Sequence, residues 1–146
     1  MSCVAIEGTE MNGLELSPGE AWTKMVGSPL VKLIDVRTEA EWKYVGEPDV
    51  ETLGAALVKI SWQLSPDMRV NSEFLNQLRE AVGADDTLLF MCRSGGRSLA
   101  AAKAARGCSI KQSYSIAGGF EGDLDENGHR GNKAGWKYQG LPWRQT

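Results

Sequence analysis

The run Met91-Cys92-Arg93-Ser94-Gly95-Gly96-Arg97-Ser98 constrains the fold more than any other part of the chain, because it sets a thiol at a short glycine-bearing turn between two different periodicities. Ahead of it, Thr87-Leu88-Leu89-Phe90-Met91 is a continuous apolar run of strand length, the pattern of a strand buried on both faces of a parallel sheet. Beyond it, residues 98–106 predict a helix closed by Gly107. Ala100, Ala101, Ala102, Ala104 and Ala105 keep that helix slim enough to pack close to a sheet and aim its amino end at the loop. Gly95 and Gly96 permit backbone angles that residues with side chains avoid, so successive N–H groups can turn inward as a concave anion nest. A thiolate at the rim would be held by those donors and by the positive end of the helix dipole.

A length of 146 residues suits one domain with a real core. The balance of 16 basic against 19 acidic residues contains no basic block, which argues against nucleic acid or a membrane surface as partner and for small molecules or protein. No apolar stretch approaches the roughly 20 residues of a membrane span. The start, Met1-Ser2-Cys3-Val4-Ala5-Ile6-Glu7, lacks a charged region followed by an apolar one, so the expected location is cytoplasmic. Cys3, Cys92 and Cys108 form no C-x-x-C pair and are too sparse for a disulfide framework. That usage suits a reducing compartment and reads Cys3 and Cys108 as structural or incidental. His129 is the one histidine, so no four-ligand zinc set is evident, and neither metal nor cofactor is expected. Asp123-Leu124-Asp125-Glu126-Asn127-Gly128 copies the first half of a calcium loop, but Ala134 stands where a bidentate glutamate is needed. A polar turn built on Asn127-Gly128 is the expectation there.

Residues 1–16 show no convincing period and read as an N-terminal extension framing a single domain over residues 17–146. Ser17-Pro18-Gly19-Glu20 is a capping box with proline at the first helical position. Leu30-Val31-Lys32-Leu33-Ile34 predicts a strand ending at Asp35, and Thr38-Glu39-Ala40-Glu41 opens a second short helix. Ala55-Ala56-Leu57-Val58 reads as a short strand. Phe74, Leu75, Leu78 and Val82 follow helical spacing, and Tyr114-Ser115-Ile116 is the last strand candidate, before Gly118-Gly119. Strands alternating with short helices argue for α/β with a mostly parallel sheet covered on both faces. Such sheets bind ligands beyond the carboxyl ends of their strands, an edge where Asp35, Cys92 and Gly118 would all emerge.

Taken together, Leu33-Ile34-Asp35-Val36-Arg37 with Glu41-Trp42, the loop over residues 92–97, Ala117-Gly118-Gly119-Phe120, and Trp136 with Gly140-Leu141-Pro142 resemble a single-domain rhodanese. The resemblance spans most of residues 17–143. It implies a rhodanese-like three-layer sandwich, a mostly parallel central sheet flanked by helices, and thiosulfate sulfurtransferase activity. Cys92 would be the nucleophile that takes a sulfane sulfur from a small sulfur-containing anion and passes it to a thiol or cyanide acceptor. Arg93, Ser94, Gly95, Gly96, Arg97 and Ser98 would form the loop that cradles the persulfide. The chemistry agrees, because a thiolate attacking an anion needs oriented donors and positive charge, here from Arg93 and Arg97. The resemblance also implies that Asp35 and Arg37 stand behind the loop and fix it, paired with each other or with Glu41. By their residue types alone, Arg37 and Glu41 fit a surface pair equally well.

Two departures stand out. Many rhodaneses carry Gly-His-Ile where this chain has Tyr44-Val45-Gly46-Glu47-Pro48-Asp49, and an inserted loop at about residues 120–135 separates Gly119 from Trp136. That insertion is expected to wall the pocket, with His129 or Arg130 near the donor, and Trp62 is a candidate to border it. Two other functions compete. A persulfide carrier would deliver its sulfur to a partner protein. A cysteine-based phosphatase or oxyanion binder would use a loop with five residues between cysteine and arginine, whereas four separate Cys92 from Arg97, a bowl better sized for sulfur.

Overall fold

Apolar runs of four or five residues line up as parallel strands at the centre of the protein, which a computed structural model describes from residue 13 to residue 145. In chain order the elements are β1 (Glu15–Leu16), α1 (Pro18–Met25), β2 (Val31–Asp35), α2 (Glu39–Tyr44), β3 (Glu47–Pro48), a 3-10 turn (Glu51–Leu53), β4 (Ala56–Lys59), β5 (Gln63–Leu64), β6 (Arg69–Val70), α3 (Phe74–Ala81), β7 (Thr87–Met91), α4 (Gly96–Gly107), β8 (Ser113–Ile116) and β9 (Trp143–Arg144). The main sheet has the order β1-β8-β7-β2-β4, and every pair in it is parallel. Two antiparallel pairs, β3 with β9 and β5 with β6, sit apart from it. None of the helices among the described residues is long and apolar enough to cross a membrane.

The continuous apolar run of β7 is explained by its position as the central strand of the sheet, with both of its faces covered. Leu88 and Phe90 join Ile34, Val36 and Cys92 in a core with Phe74 and Leu78 of α3 and Ala101, Ala102 and Ala105 of α4. Leu89 and Met91, pointing the other way, join Leu33, Ile116 and Phe120 in a second core with Ala21 and Met25 of α1 and with Trp136. The result is the three-layer α/β sandwich that the resemblance implies. The alanines of α4 serve as expected, because their short side chains let this helix lie against β7 and β8.

Local signals place the helix starts well. Ser17 and Thr38 each accept a hydrogen bond from the amide three residues on, while Glu20 and Glu41 reach back to close the boxes. Two boundaries differ from expectation. The expected extension over residues 1–16 ends sooner, because Glu15 and Leu16 pair with Ser115 and Ile116 as an edge strand too short to show a period. α4 begins at Gly96 rather than residue 98, since Gly95 takes φ of +114° and turns the chain into the helix directly. Cys3 lies outside the described residues. Cys108, not expected in a disulfide, is disulfide-bonded, whereas Cys92 is a free, buried cysteine.

After the insertion the chain returns to the second core through Trp136. This indole is fully buried, packs edge-on against Trp22 at 5.8 Å, and donates its Nε1–H to the Pro142 carbonyl at 2.6 Å. Trp136→Ala would remove that ring and leave its space unfilled, so a loss of about 3–5 kcal/mol is expected in urea unfolding. A loss under about 1 kcal/mol would mean that the tail is not part of the core.

Candidate active site around Cys92

The parallel sheet delivers Asp35, the last residue of β2, and Cys92 and Ala117, the residues just after β7 and β8, at the same edge. Cys92 is 1% exposed and belongs to the α3–α4 core, so its sulfur sits at the floor of the loop rather than on the surface. Two amides point at it. Gly95 N–H donates to Sγ at 3.1 Å and Ser98 N–H donates at 3.3 Å. The left-handed Gly95 is what aims them, because it turns the chain from the strand exit into the first turn of α4. The N–H groups of Gly96 and Arg97 lie in that same first turn, where a helix offers no acceptor of its own. The loop's amides thus turn inward, with the sulfur between them.

The loop is braced from behind by the insertion's first residues. The amides of Phe120, Glu121 and Gly122 donate to the carbonyls of Cys92 and Arg93 at 2.8 to 3.1 Å. Gly119 must be glycine for this approach: it takes φ of +60°, and a Cβ there would lie 2.4 Å from the Cys92 carbonyl oxygen. The insertion therefore supports the loop backbone. Among the described residues, neither His129 nor Arg130 hydrogen-bonds any part of residues 92–98. Arg130 instead donates to the Gly122 carbonyl, and the His129 amide donates to Asp125. The Asp125 carboxylate also accepts from the Asn127 amide and the Asn132 side chain, so the resemblance to a calcium loop resolves as a capped polar turn. Trp62 packs edge-on against Phe74 at 5.0 Å.

Charge around the loop is arranged in two pairs. Arg37 and Asp35 are both fully buried. Nε and Nη2 of Arg37 grip both carboxylate oxygens at 2.7 to 3.2 Å, and Nη2 also donates to the Gly46 carbonyl at 2.7 Å. The guanidinium lies on the Phe120 ring, 4.5 Å from its centre, and Phe120 is the residue whose amide holds the Cys92 carbonyl. Asp35 and Arg37 thus reach the loop through Phe120. Arg37 Nη1 is buried without a partner, an orphan donor in an otherwise saturated pair.

Glu41 does not pair with Arg37. It takes Arg97 of the loop in a two-pronged bond at 2.7 and 2.9 Å, so α2 clamps the start of α4. Arg37 turns inward to the nearer Asp35, and Glu41 faces the loop across the edge of the sheet. Arg93, by contrast, is exposed and forms no salt bridge among the described residues. The residues that sequence reasoning missed are Ser115, Gly119 and Phe120 in their contacts with the loop. Gly119-Phe120 was visible as a motif, while Ser115 gave no signal. A cavity of about 490 Å³ between Val82, Gly83, Asp86, Cys108 and Ile110 lies at the opposite edge of the sheet, before β7 and β8, and has no part in this site.

A family model described as the STR4 middle domain matches residues 15–146. A Rickettsia rickettsii protein named "Uncharacterized protein RP600 homolog" is 34% identical over 125 residues, covering 86% of this chain and 92% of its own. Among solved structures, that of Rv0390 from M. tuberculosis superposes with a TM-score of 0.83 at 43% identity, covering 90% of this chain and 97% of that one. The polysulfide-sulfur transferase homodimer from Wolinella succinogenes shares the fold, with a TM-score of 0.63 at 23% identity over 91% of this chain and 79% of that one. The fold is rhodanese-like.

The clamp between α2 and the loop is sensitive to acid. Burial pushes the Glu41 carboxyl up, but the hydrogen bond and charge of Arg97, with the Thr38 amide and hydroxyl, outweigh it and hold the group below its ordinary value of 4.5. A depressed native value means that the pair contributes fully above about pH 4.5 and is lost as pH falls through the lower native value. Glu41→Gln is expected to cost about 1–2 kcal/mol at pH 7 and to converge with the unaltered protein in acid, as measured by urea unfolding across a pH series. Parallel curves at all pH values would refute the clamp.

Proposed function

We propose that this chain, which belongs to the family of the STR4 middle domain, is a sulfurtransferase working through a persulfide on Cys92. The observation that carries this reading is the free Cys92 sulfur lying inside the nest, with the Gly95 and Ser98 amides directed at it. Donors fixed before the reaction stabilise negative sulfur without having to reorganise, which is where such sites gain most of their effect. Thiosulfate, or a similar small anion with a sulfane sulfur, is the proposed donor. The Cys92 thiolate attacks the outer sulfur, a new S–S bond forms, the donor's S–S bond breaks, and sulfite leaves with the electron pair. The negative charge then rests on the outer persulfide sulfur, and the first-turn amides of Gly96 and Arg97 are the proposed donors to it. A thiol or cyanide acceptor attacks that sulfur in the second step, and Cys92 departs as thiolate.

The two loop arginines take separate roles in this scheme. Arg97 is held by Glu41, so it supplies fixed positive charge and anchors the helix start. Arg93 remains available to attract the donor anion and to offset repulsion as two anions approach. His129 is not bonded to the loop, and the groups that contact the sulfur are the Gly95 and Ser98 amides and the Ser98 hydroxyl, so the proposed scheme assigns no side chain as general base. The four-residue spacing from Cys92 to Arg97 argues for sulfur over phosphate.

Incubation with thiosulfate followed by intact-protein mass spectrometry is expected to add one sulfur atom, removable by cyanide. Peptide mapping should place it on Cys92, and Cys92→Ser should abolish it. Thiocyanate production should fall at least a thousandfold in that variant. Stoichiometric loading with slow release to small thiols would make the protein a carrier for a protein acceptor. Phosphoester turnover without sulfur loading would overturn the proposal.

A further inference from the structure

Two buried hydroxyls stand in line behind the sulfur. Ser98 Oγ lies 3.4 Å from Cys92 Sγ, 2.8 Å from Ser115 Oγ and 3.1 Å from the Gly95 carbonyl, and both serines are fully buried. Ser115 is on β8, facing the α4 side of the sheet with Ser113, while Tyr114 between them faces α1. An apolar side chain would fill that position against the alanines of α4, so packing alone does not call for serine there.

The number of hydrogens fixes how the pair must be arranged. A hydroxyl has one hydrogen to give and two lone pairs to receive with. Ser98 Oγ is the hydrogen-bond partner of Ser115 Oγ among the described residues, so the buried Ser115 O–H is satisfied by donating to it. While Cys92 is a thiol, Ser98 Oγ is saturated: it accepts from Ser115 O–H and from Cys92 S–H, and it donates to Gly95. When the thiol proton leaves to solvent, the Ser98 hydrogen is free to turn to the sulfur. The Gly95 carbonyl loses nothing it needs, because it keeps the Leu99 amide at 3.0 Å. The sulfur then has three donors, the amides of Gly95 and Ser98 and the Ser98 hydroxyl.

We infer that Ser115 is a positioning residue for Cys92: by donating into Ser98 Oγ, it polarises the Ser98 hydroxyl and directs its hydrogen to the ionised sulfur. The inference rests on the reading of Cys92 as a nucleophile. The charged groups near the sulfur are Arg97 with its partner Glu41, the Asp35–Arg37 pair, and Arg93 on the loop itself. All of them are left in place by a change at Ser115, so its effect is separable from theirs.

The test is the rate constant for alkylation of Cys92 by iodoacetamide over a pH series, with the modified residue assigned by peptide mapping. In that reaction the thiolate displaces iodide, so the rate follows the ionised sulfur and requires no sulfur donor. Ser115→Ala is expected to react about three- to tenfold more slowly at neutral pH, with its profile displaced to higher pH and its alkaline plateau within about twofold of the unaltered protein. Ser98→Ala should show a displacement at least as large, and adding Ser115→Ala to it should change nothing further, because Ser115 acts through Ser98. An unmoved profile, a lowered plateau without displacement, or additive effects in the double variant would overturn the inference and leave Ser115 a packing residue. Failure of thiosulfate to load the protein, alongside a displaced alkylation profile, would instead remove the sulfurtransferase reading and keep this one.

Discussion

The buried pair of Asp35 and Arg37 holds the working edge of the molecule together. Asp35 ends β2, and its backbone carbonyl accepts from Ile60 while its side chain grips Arg37. Arg37 in turn draws in the Gly46 carbonyl and lies on Phe120, and its own carbonyl accepts from Ser61. Three separate stretches of chain are thus tied to one guanidinium. Arginine suits this place because its planar fork gives several directed bonds at once and a flat face for an aromatic ring. Breaking one partner of such a pair strands a buried charge, at a cost of about 3–5 kcal/mol.

From that anchor the order passes to the sulfur through backbone contacts. Phe120, under the guanidinium, donates its amide to the Cys92 carbonyl, and the next two amides take the Arg93 carbonyl. The loop therefore cannot open outward without disturbing the exit from β8. Glu41 closes it from the other side by holding Arg97. A nest of amides stabilises an anion only if its donors are already pointed, since turning them during reaction would cost what the bonds return. The surrounding clamps keep the Gly95 and Ser98 amides pointed at Sγ of the buried Cys92.

Much of this was legible in the chain itself. The uninterrupted apolar character of residues 87–91 required a strand covered on both faces. The serine and threonine capping boxes marked two helix starts, and the alanines after the loop indicated close packing on a sheet. The cysteine and glycines of the loop were recognisable because their chemistry is local: an amide nest needs a left-handed residue a few positions from the group it holds. Motifs distant in sequence, from Asp35 to Trp136, were assigned together through resemblance to a family.

What the sequence by itself determined was the class of fold and the left-handed turn of the loop after Cys92, because periodicity, capping and glycine conformations act over a few neighbouring residues. Tertiary structure alone decided the pairings: Arg37 with Asp35, Arg97 with Glu41 across 56 positions, and Ser98 with Ser115 from a helix to a strand. It also made Glu15 and Leu16 a strand, and it gave the insertion's first residues the task of bracing the loop. Such choices depend on which side chains meet once parallel strands bring their ends to one edge. A carboxylate or hydroxyl looks the same in sequence whichever partner the fold later sets before it.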